Sequence, residues 1–196
     1  MSSISAVKAI QTINDTGVRI ISSNQISILL DIKNKNTVYK LIQRLEKYKL
    51  ITRVAQGKYI VTGSNISDFE IANTIYPKSY VSFESALNFY GILSQFPYTI
   101  TSATLNRSFK TESLGKAHEF THISAKMFWG YQKTDNFLIA TPEKAFIDTL
   151  YLKSKGIRKI DIDELKLTEL NKNTFFEMTK DINYYPFQKI IKKIKL

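Results

Sequence analysis

Apolar residues near the start of the chain recur at three- and four-residue spacings, a pattern that predicts amphipathic helices. The first predicted helix runs through "ISAVKAIQTIND". Ile4, Val7 and Ile10 share one face there, together with Ala6 and Ile13. A glycine at position 17 follows as a stop signal, because glycine favours helix ends.

Two further helices are predicted before residue 50. The segment "SSNQISILLD" offers Ser22 or Ser23 as an N-cap, and its apolar face is formed by Ile26, Leu29 and Leu30. After the polar connection "IKNKN", the segment "TVYKLIQRLEKYKL" predicts a third helix with Asn36 as its cap. The expected buried stripe of this third helix consists of Val38, Leu41, Ile42, Leu45 and Tyr48.

Strand-like residues follow the third helix in "LITRVAQGKYIVTG". Two short strands are predicted to join at Gln56 and Gly57, where glycine supplies the positive φ of a tight hairpin. Three helices followed by a hairpin, with a short turn between the second and third helix, are typical of a winged helix-turn-helix. The sequence therefore predicts a winged helix-turn-helix domain in residues 1–64, ending at a polar junction around Ser64.

Residues 65–196 predict a second domain of mixed α+β type. Helices are expected in "ISDFEIANTI", in "SYVSFESALNFYGI" and, with Thr141 as cap and Pro142 at the first position, in "TPEKAFIDTLYLKS". Short β-like runs between Tyr98 and Ala140 predict an antiparallel sheet. Three closing helices are expected in "DIDELKLTEL", "NTFFEMTKDI" and "PFQKIIKKIKL", the last packing on the core. The fold class expected for the whole chain is α+β.

Charge is distributed unevenly between these two parts. The 196 residues contain 28 basic and 17 acidic side chains, a net charge of +11. Residues 1–64 hold ten basic and three acidic residues, a net charge of +7, which leaves +4 for twice that length. A uniform compositional bias would not divide in this way. The local excess favours an anionic partner, either nucleic acid or a lipid surface.

The exposed face of the third helix carries residue types that suit DNA. Lysine and arginine neutralise phosphates, while arginine, asparagine and glutamine can pair with purine edges in the major groove. The alternatives are a helix face that is polar only for solubility, and a winged helix that binds protein. The predicted DNA-contacting residues of the third helix and the wing are Lys35, Asn36, Thr37, Tyr39, Lys40, Gln43, Arg44, Lys47, Arg53, Gln56 and Lys58.

Several function classes are disfavoured by what the sequence lacks. Cysteine is absent, which excludes disulfides and thiolate chemistry. No apolar run reaches the ~18 residues of a spanning helix, and the N-terminus does not resemble a signal peptide. We therefore expect a cytoplasmic protein with no membrane partner.

A metal or catalytic site is also not expected. His118 and His122 flank Glu119 in "HEFTHIS", but on a strand they stand about 13 Å apart, and no third ligand is apparent. Glu143 and Lys144 faintly resemble a nuclease motif, yet they begin a helix, where capping accounts for them better. No glycine-rich phosphate loop occurs. The prediction is a non-enzymatic protein without cofactor or metal.

Four segments, taken in order, carry a resemblance to a known family. They are "GKYIV" at the end of the predicted wing, "IYPKSYVSFESALNFYGIL", "FWGY" and "IATPEKAFIDTLYL". In order and separation they resemble the AbiEi-type antitoxins of type IV toxin–antitoxin systems. The resemblance covers nearly the whole chain, from about Ile4 to the helix after Pro142.

This resemblance implies a transcriptional autorepressor whose N-terminal domain binds double-stranded operator DNA, often at inverted repeats. It implies a C-terminal domain that counteracts a nucleotidyltransferase-like toxin, typically without a stable complex. Carried over by position, the expected contacts are Lys40, Gln43, Arg44 and Lys47 on the third helix, with Arg53 and Lys58 on the wing. The alternative is a stand-alone winged-helix regulator or protein-interaction module without a toxin partner.

Overall fold

The computed structural model describes residues 4–194, which form a mixed α+β protein. Two compact units divide between Ser67 and Asp68. The first unit contains a three-stranded antiparallel sheet and the second a six-stranded mixed sheet. Each unit has its own hydrophobic core.

The first unit consists of three helices and three strands among its described residues. In chain order they are α1 (Ala6–Asp15), β1 (Ile20–Ser22), α2 (Ser23–Leu29), α3 (Lys35–Lys47), β2 (Ile51–Ala55) and β3 (Lys58–Val61). The central strand is β3, which pairs with the other two in antiparallel fashion. The predicted hairpin is therefore joined by β1, a strand that the sequence did not reveal because three residues are too short for a periodic signal.

The core of the first unit corrects the predicted burial at two positions. The buried face of α1 is formed by Ala6, Ala9 and Ile13, so Val7, one position off that face, is 62 % exposed. Tyr48 is also 62 % exposed, although helical periodicity predicts it in the buried stripe. It is the C-cap residue of α3, and the backbone reverses at Lys49 (φ +54°), which turns its ring to solvent.

The second unit wraps a sheet with helices. Its helices are α4 (Asp68–Ile75), α5 (Phe83–Phe89), α6 (Pro142–Ser154), α7 (Lys172–Thr179) and α8 (Tyr185–Ile191), with short 3₁₀ helices at Ala125–Met127 and Leu167–Glu169. Its strands are β4 (Ser79–Val81), β5 (Thr99–Thr104), β6 (Phe109–Ser113), β7 (Lys116–His122), β8 (Tyr131–Thr134) and β9 (Phe137–Ala140). The strand order is β6-β7-β5-β4-β9-β8.

This sheet is mixed, so the prediction of an antiparallel sheet is wrong. β5 runs parallel to β7, with Ser102 opposite Phe120. β4 runs parallel to β9, with Val81 opposite Ile139, while the remaining pairs are antiparallel. Parallel pairs require long crossover connections, and strand-like runs in a sequence do not show which distant run lies beside which.

The helices around the sheet follow the sequence in most places. α6 begins as predicted, with the Thr141 hydroxyl accepting from the Lys144 amide at 3.3 Å and Pro142 at its first position. The closing helix α8 buries Phe187 and Ile191 against the core, which confirms its predicted packing. Among the described residues the longest helices have 13 residues, and none could cross a membrane.

The predicted helix in "DIDELKLTEL" is wrong. Apart from one 3₁₀ turn, residues 161–170 are irregular, because their backbone pairs with the segment after α5. Leu165 forms an isolated bridge with Leu93, and the Lys166 amide donates to the Ile92 carbonyl at 2.8 Å. This tertiary pairing overrides the local helical pattern.

Candidate nucleic-acid interface

The start of α3 is fixed by an asparagine cap. The side-chain oxygen of Asn34 accepts from the amides of Asn36 at 2.9 Å and Thr37 at 3.3 Å, satisfying donors that the first helical turn leaves free. The prediction of Asn36 as cap is therefore wrong by two positions. As a consequence, Asn36 lies inside the first turn with its side chain exposed.

The outward face of α3 is defined by four residues, Asn36, Lys40, Gln43 and Lys47, all of them exposed. With 3.6 residues per turn they fall within an arc of about 60°. The opposite side is the buried stripe, formed by Val38, Leu41, Ile42 and Leu45. Because this face carries no carboxylate, it offers two ammonium groups and two carboxamides to a partner.

Grooves flank α3 on both sides, so the helix stands out from the surface of the unit. The larger groove, of about 990 Å³, runs past the loop before α3 and is lined on the helix by Thr37, Lys40, Gln43, Arg44 and Lys47. A second groove, of about 410 Å³, lies between α2, α3 and the central strand β3. Its α3 wall includes two predicted contact residues, Lys35 and Tyr39, and the ring of Tyr39 is 62 % exposed.

Arg44 differs from the other predicted contact residues of α3, all of which are exposed. It is half-buried, and its Nη2 donates to the Ile4 carbonyl at 3.2 Å. The guanidinium therefore ties α3 to the segment just before α1. No local pattern predicts this tie, since 40 residues separate the two partners.

The β2–β3 hairpin holds the remaining predicted residues. Arg53 and Gln56 are exposed, and the Arg53 Nε donates to the Ala55 carbonyl at 3.3 Å, across a bulge in β2. The turn contains Gly57 at φ +66°, as the predicted hairpin requires. The Gly57 carbonyl accepts from the Ser23 amide at 2.9 Å, which ties the hairpin tip to the start of α2.

Lys58 is half-buried at the start of β3, and burial lowers the pKa of its ammonium group. Partial desolvation disfavours the charged form, and a phosphate nearby would favour it again. Lys58 therefore has less exposed charge to offer than the outward face of α3.

Lys33 is a basic residue that the predicted set of contacts does not include. Exposed just before the α3 cap, it contributes to the walls of both grooves. Lys33 lies two residues before the first residue of α3, so a correctly predicted cap would have indicated that it belongs with the contact residues. The predicted cap at Asn36 set the helix start too late in the chain for this. Asp31 also lines the larger groove, so one carboxylate lies near the basic residues.

The histidines of β7 do not form a metal cluster. His118 is 1 % exposed, and neither ring nitrogen has a hydrogen-bond partner. His122 is exposed, with Nδ1 3.0 Å from the Asn106 carbonyl oxygen. Within residues 4–194 no group of three histidine, aspartate or glutamate side chains could hold a metal ion.

A buried polar cluster occupies the centre of the second unit. Lys144 and Asp148 form an ion pair with no exposed surface. The Asp148 Oδ2 accepts from the Tyr80 hydroxyl at 2.8 Å and from the Ser82 hydroxyl at 2.9 Å, and the Lys144 Nζ lies 4.8 Å from the Trp129 ring centroid. Burial, only partly offset by Asp148, lowers the pKa of Lys144.

This cluster contains groups that can be catalytic elsewhere, but all of them are inaccessible. Lys144, Asp148, Tyr80 and Ser82 are each 0 % exposed. Glu143, next in sequence, has its Oε1 accepting from the Asn171 amide at 2.9 Å. The cluster therefore holds α6 to β4 and to the segment before α7, and the surface of α3 is the stronger candidate for a functional site.

The chain matches no protein-family model, and no curated protein is detectably similar to it.

Proposed function

We propose that residues 1–64 form a winged helix-turn-helix that binds double-stranded operator DNA. In this assignment α2 and α3 are the helix-turn-helix, α3 is the recognition helix, and β2 and β3 form the wing. The protein acts in the cytoplasm as a transcriptional autorepressor, and it serves as the antitoxin of a type IV toxin–antitoxin system.

The observation that supports DNA binding most strongly is the outward face of α3. Two lysines and two carboxamides lie within one narrow arc, on a helix that stands between two grooves. Lysines on such a face neutralise phosphates, and carboxamides can read base edges. A helix with these dimensions fits the major groove of B-DNA, which is about 12 Å wide.

The experiment that tests this proposal is a titration of the full chain with promoter DNA at several salt concentrations. Replacing both outward lysines in Lys40→Ala/Lys47→Ala removes two phosphate contacts. We expect weaker binding and a log–log salt slope that is shallower by about 1.8, about 0.9 for each contact. Fluorescence anisotropy with a labelled duplex measures both quantities.

A matched control removes two exposed lysines elsewhere, Lys133→Ala/Lys159→Ala, in the second unit. Its net charge equals that of the α3 variant, so a general charge effect would weaken both variants alike. We expect the control to keep the slope of the unmodified chain. Equal losses in the two variants, or no preference for the promoter over random DNA, would contradict the assignment of α3 and favour a protein-interaction module.

The antitoxin part of the proposal is supported by the resemblance of the sequence to AbiEi-type antitoxins. Its test begins with the neighbouring reading frame, which we expect to encode a nucleotidyltransferase-like toxin. Expression of that toxin should arrest growth, and co-expression of this chain should restore it without a stable complex between the two proteins. If co-expression of this chain did not relieve the growth arrest, the antitoxin role would be contradicted, and the chain would be a stand-alone regulator.

A separation of the two roles sharpens this test. The variant Lys40→Ala/Lys47→Ala should lose repression of a reporter placed behind its own promoter while still restoring growth. Restoration that depends on these lysines would mean that DNA binding, and not the second unit, is responsible for the antitoxin effect.

A further inference from the structure

Two carboxamides on the outward face of α3 have no structural use within the described part of the chain. Asn36 and Gln43 are exposed, and neither side chain hydrogen-bonds to another group there. Carboxamides elsewhere hold the fold together: Asn34 caps α3, and Gln188 donates to the carbonyls of Thr179 and Ile182. Asn36 and Gln43 are therefore available to a ligand.

The guanidinium of Arg44, in contrast to the two carboxamides, is hydrogen-bonded within the protein. Arg44 is the one arginine in α3, and its Nη2 donates to the Ile4 carbonyl. Arginine makes the commonest specific contact to guanine, through O6 and N7. With Arg44 engaged beside the face, the groups on the face that are suited to base edges are the two carboxamides. The lysines there are compact point charges that suit phosphates.

We propose that Asn36 and Gln43 each read an adenine in the major groove, so that the operator half-site contains two A·T pairs at fixed separation. This inference rests on the proposed DNA-binding function and names the bases that it selects. A carboxamide matches adenine because its NH₂ group donates to N7 while its oxygen accepts from the N6 amino group. Guanine presents acceptors at both positions, which leaves the carboxamide oxygen without a donor.

The separation of the two bases follows from the helix. Seven residues separate Asn36 from Gln43, nearly two full turns, so both side chains point the same way. The rise between them is about 10.5 Å at about 1.5 Å per residue. A recognition helix in the major groove contacts successive base pairs with residues about three positions apart, so two contacts seven residues apart fall about two base pairs apart. Lys40 and Lys47 lie on the same face, where they hold the helix against the phosphates.

Selection from a randomised duplex pool tests this inference even though the operator sequence is not known. The full chain is incubated with the pool at physiological salt, and the bound duplexes are sequenced. We expect a motif with two adenines, on either strand, about two base pairs apart. The preference for adenine over the other bases should be about 5- to 150-fold at each position.

Single substitutions then assign each position to one residue. Asn36→Ala should reduce the adenine preference to near unity at one position and leave the other unchanged, and Gln43→Ala should do the reverse. Both residues are exposed, so thermal unfolding should match that of the unmodified chain. Lys40→Ala is the control: it should weaken all duplexes about equally and keep both preferences.

A modified base tests the hydrogen bond itself. Replacing one selected adenine by 7-deazaadenine removes the N7 acceptor and leaves base pairing intact. The unmodified chain should lose affinity by about the same factor as the matching alanine variant, and that variant should lose nothing further. If 7-deazaadenine weakened binding of the alanine variant as much as binding of the unmodified chain, the proposed hydrogen bond to N7 would be overturned.

Failure of this inference can be distinguished from failure of the proposed function. A selected motif without the paired adenines, or preferences unchanged in both carboxamide variants, would overturn the adenine reading while DNA binding stands. Binding without any sequence preference would overturn both the adenine reading and the assignment of α3 as the recognition helix. A chain that binds no duplex under any of these conditions would overturn the proposed function itself.

Discussion

Two opposite charges lie entirely inside the second unit, at Lys144 and Asp148. Removing a charged pair from water is costly, and the loss is offset only when further hydrogen bonds complete the arrangement. Tyr80 and Ser82 supply these bonds from β4 and from the residue that follows it. Gly130 lies against the same lysine, since a Cβ built there would be 2.9 Å from the Lys144 Cγ.

Breaking this pair should destabilise the second unit strongly. Asp148→Ala leaves a buried ammonium without its counter-charge, and we expect a loss of about 3–5 kcal/mol in the free energy of unfolding. The double variant Lys144→Met/Asp148→Leu removes both charges and should recover most of that loss. Urea unfolding followed by the fluorescence of Trp129, the one tryptophan of the chain, measures both effects.

The exposed Asp163 provides a control, because Asp163→Ala removes a carboxylate without touching the cluster. Its unfolding curve should superimpose on that of the unmodified chain. If the double variant were as unstable as Asp148→Ala, the lost hydrogen bonds of the Tyr80 and Ser82 hydroxyls or the changed packing, and not the lone charge, would explain the loss.

His118 is a further buried titratable residue of the second unit. Neither nitrogen of its ring has a hydrogen-bond partner. Burial lowers the pKa of its imidazole from 6.5; Lys116 acts in the same direction, and Asp68 opposes it. Below pH 6.5 the unfolded chain takes up a proton that the folded chain accepts only at lower pH. Stability contributed by the neutral ring is therefore present above pH 6.5 and is lost as the pH falls.

We expect the free energy of unfolding to decrease between pH 7 and pH 5, with a slope from this group of at most about 1.4 kcal/mol per pH unit. His118→Leu should flatten this part of the profile, because it removes the buried imidazole. Urea titrations at half-unit pH intervals provide the measurement. A profile that His118→Leu does not alter would assign the acid sensitivity to other groups.

At the scale of elements, the first turn of α3 depends on a side-chain cap. Asn34 accepts from the amides of two residues in the first turn. The direction in which the lysines point is set by the opposite side of the helix, where Val38, Leu41 and Leu45 are buried. The cap thus contributes to the stability of the first turn, which carries Asn36.

Loss of this cap should loosen the start of α3. Asn34→Ala is expected to destabilise the first unit by about 1 kcal/mol, because two amide donors lose their acceptor. Hydrogen exchange at the amides of Asn36 and Thr37 should accelerate correspondingly. Asn36→Ala is the matched comparison: it removes an exposed carboxamide two residues away and should leave the exchange rate of the Thr37 amide nearly unchanged.

Elements with local signals could be predicted from the sequence, and elements set by distant pairing could not. α6 begins where Thr141 and Pro142 indicate, because capping and a fixed φ act within one turn. β1 escaped prediction because it exists through its pairing with β3, as Ile20 opposite Ile60 illustrates. The same cause explains the irregular segment around Leu165, which pairs with Leu93.

The candidate site divides along the same line. Exposure of Lys40, Gln43 and Lys47 followed from helical periodicity, and the structure has all three exposed. The engagement of Arg44 by the Ile4 carbonyl could not be inferred, since it requires the packing of α1 beside α3. Periodicity thus predicted which side of α3 faces outward, but not that the guanidinium of Arg44 beside it is hydrogen-bonded within the protein.

At the scale of the whole molecule, each unit has a separate core. That of the first unit extends from Ala6 to Val61, and the large cluster of the second from Tyr80 to Ile191. A unit with its own core can in principle fold alone. We therefore expect residues 1–67, expressed without the rest, to give a dispersed amide NMR spectrum.

If the proposed function holds, the same fragment should select the same DNA motif as the full chain, although its affinity can differ. Anisotropy titrations of fragment and full chain with one duplex provide this comparison. A folded fragment without the motif preference would show that the second unit takes part in DNA recognition, whereas an unfolded fragment would show that the first unit needs the second for its stability.

The position of β9 has a consequence for how the chain is made. This strand is the last of the sheet to be synthesised, yet it lies between β4 and β8, and β4 has no partner on that side until residue 139 is present. On the ribosome the first unit can complete its contacts at once, whereas the second must wait on the order of ten seconds for its missing strand. Nascent chains that end before β9 would carry a folded first unit together with an unpaired edge at β4. Chaperone binding and premature proteolysis should therefore concentrate on chains of these lengths.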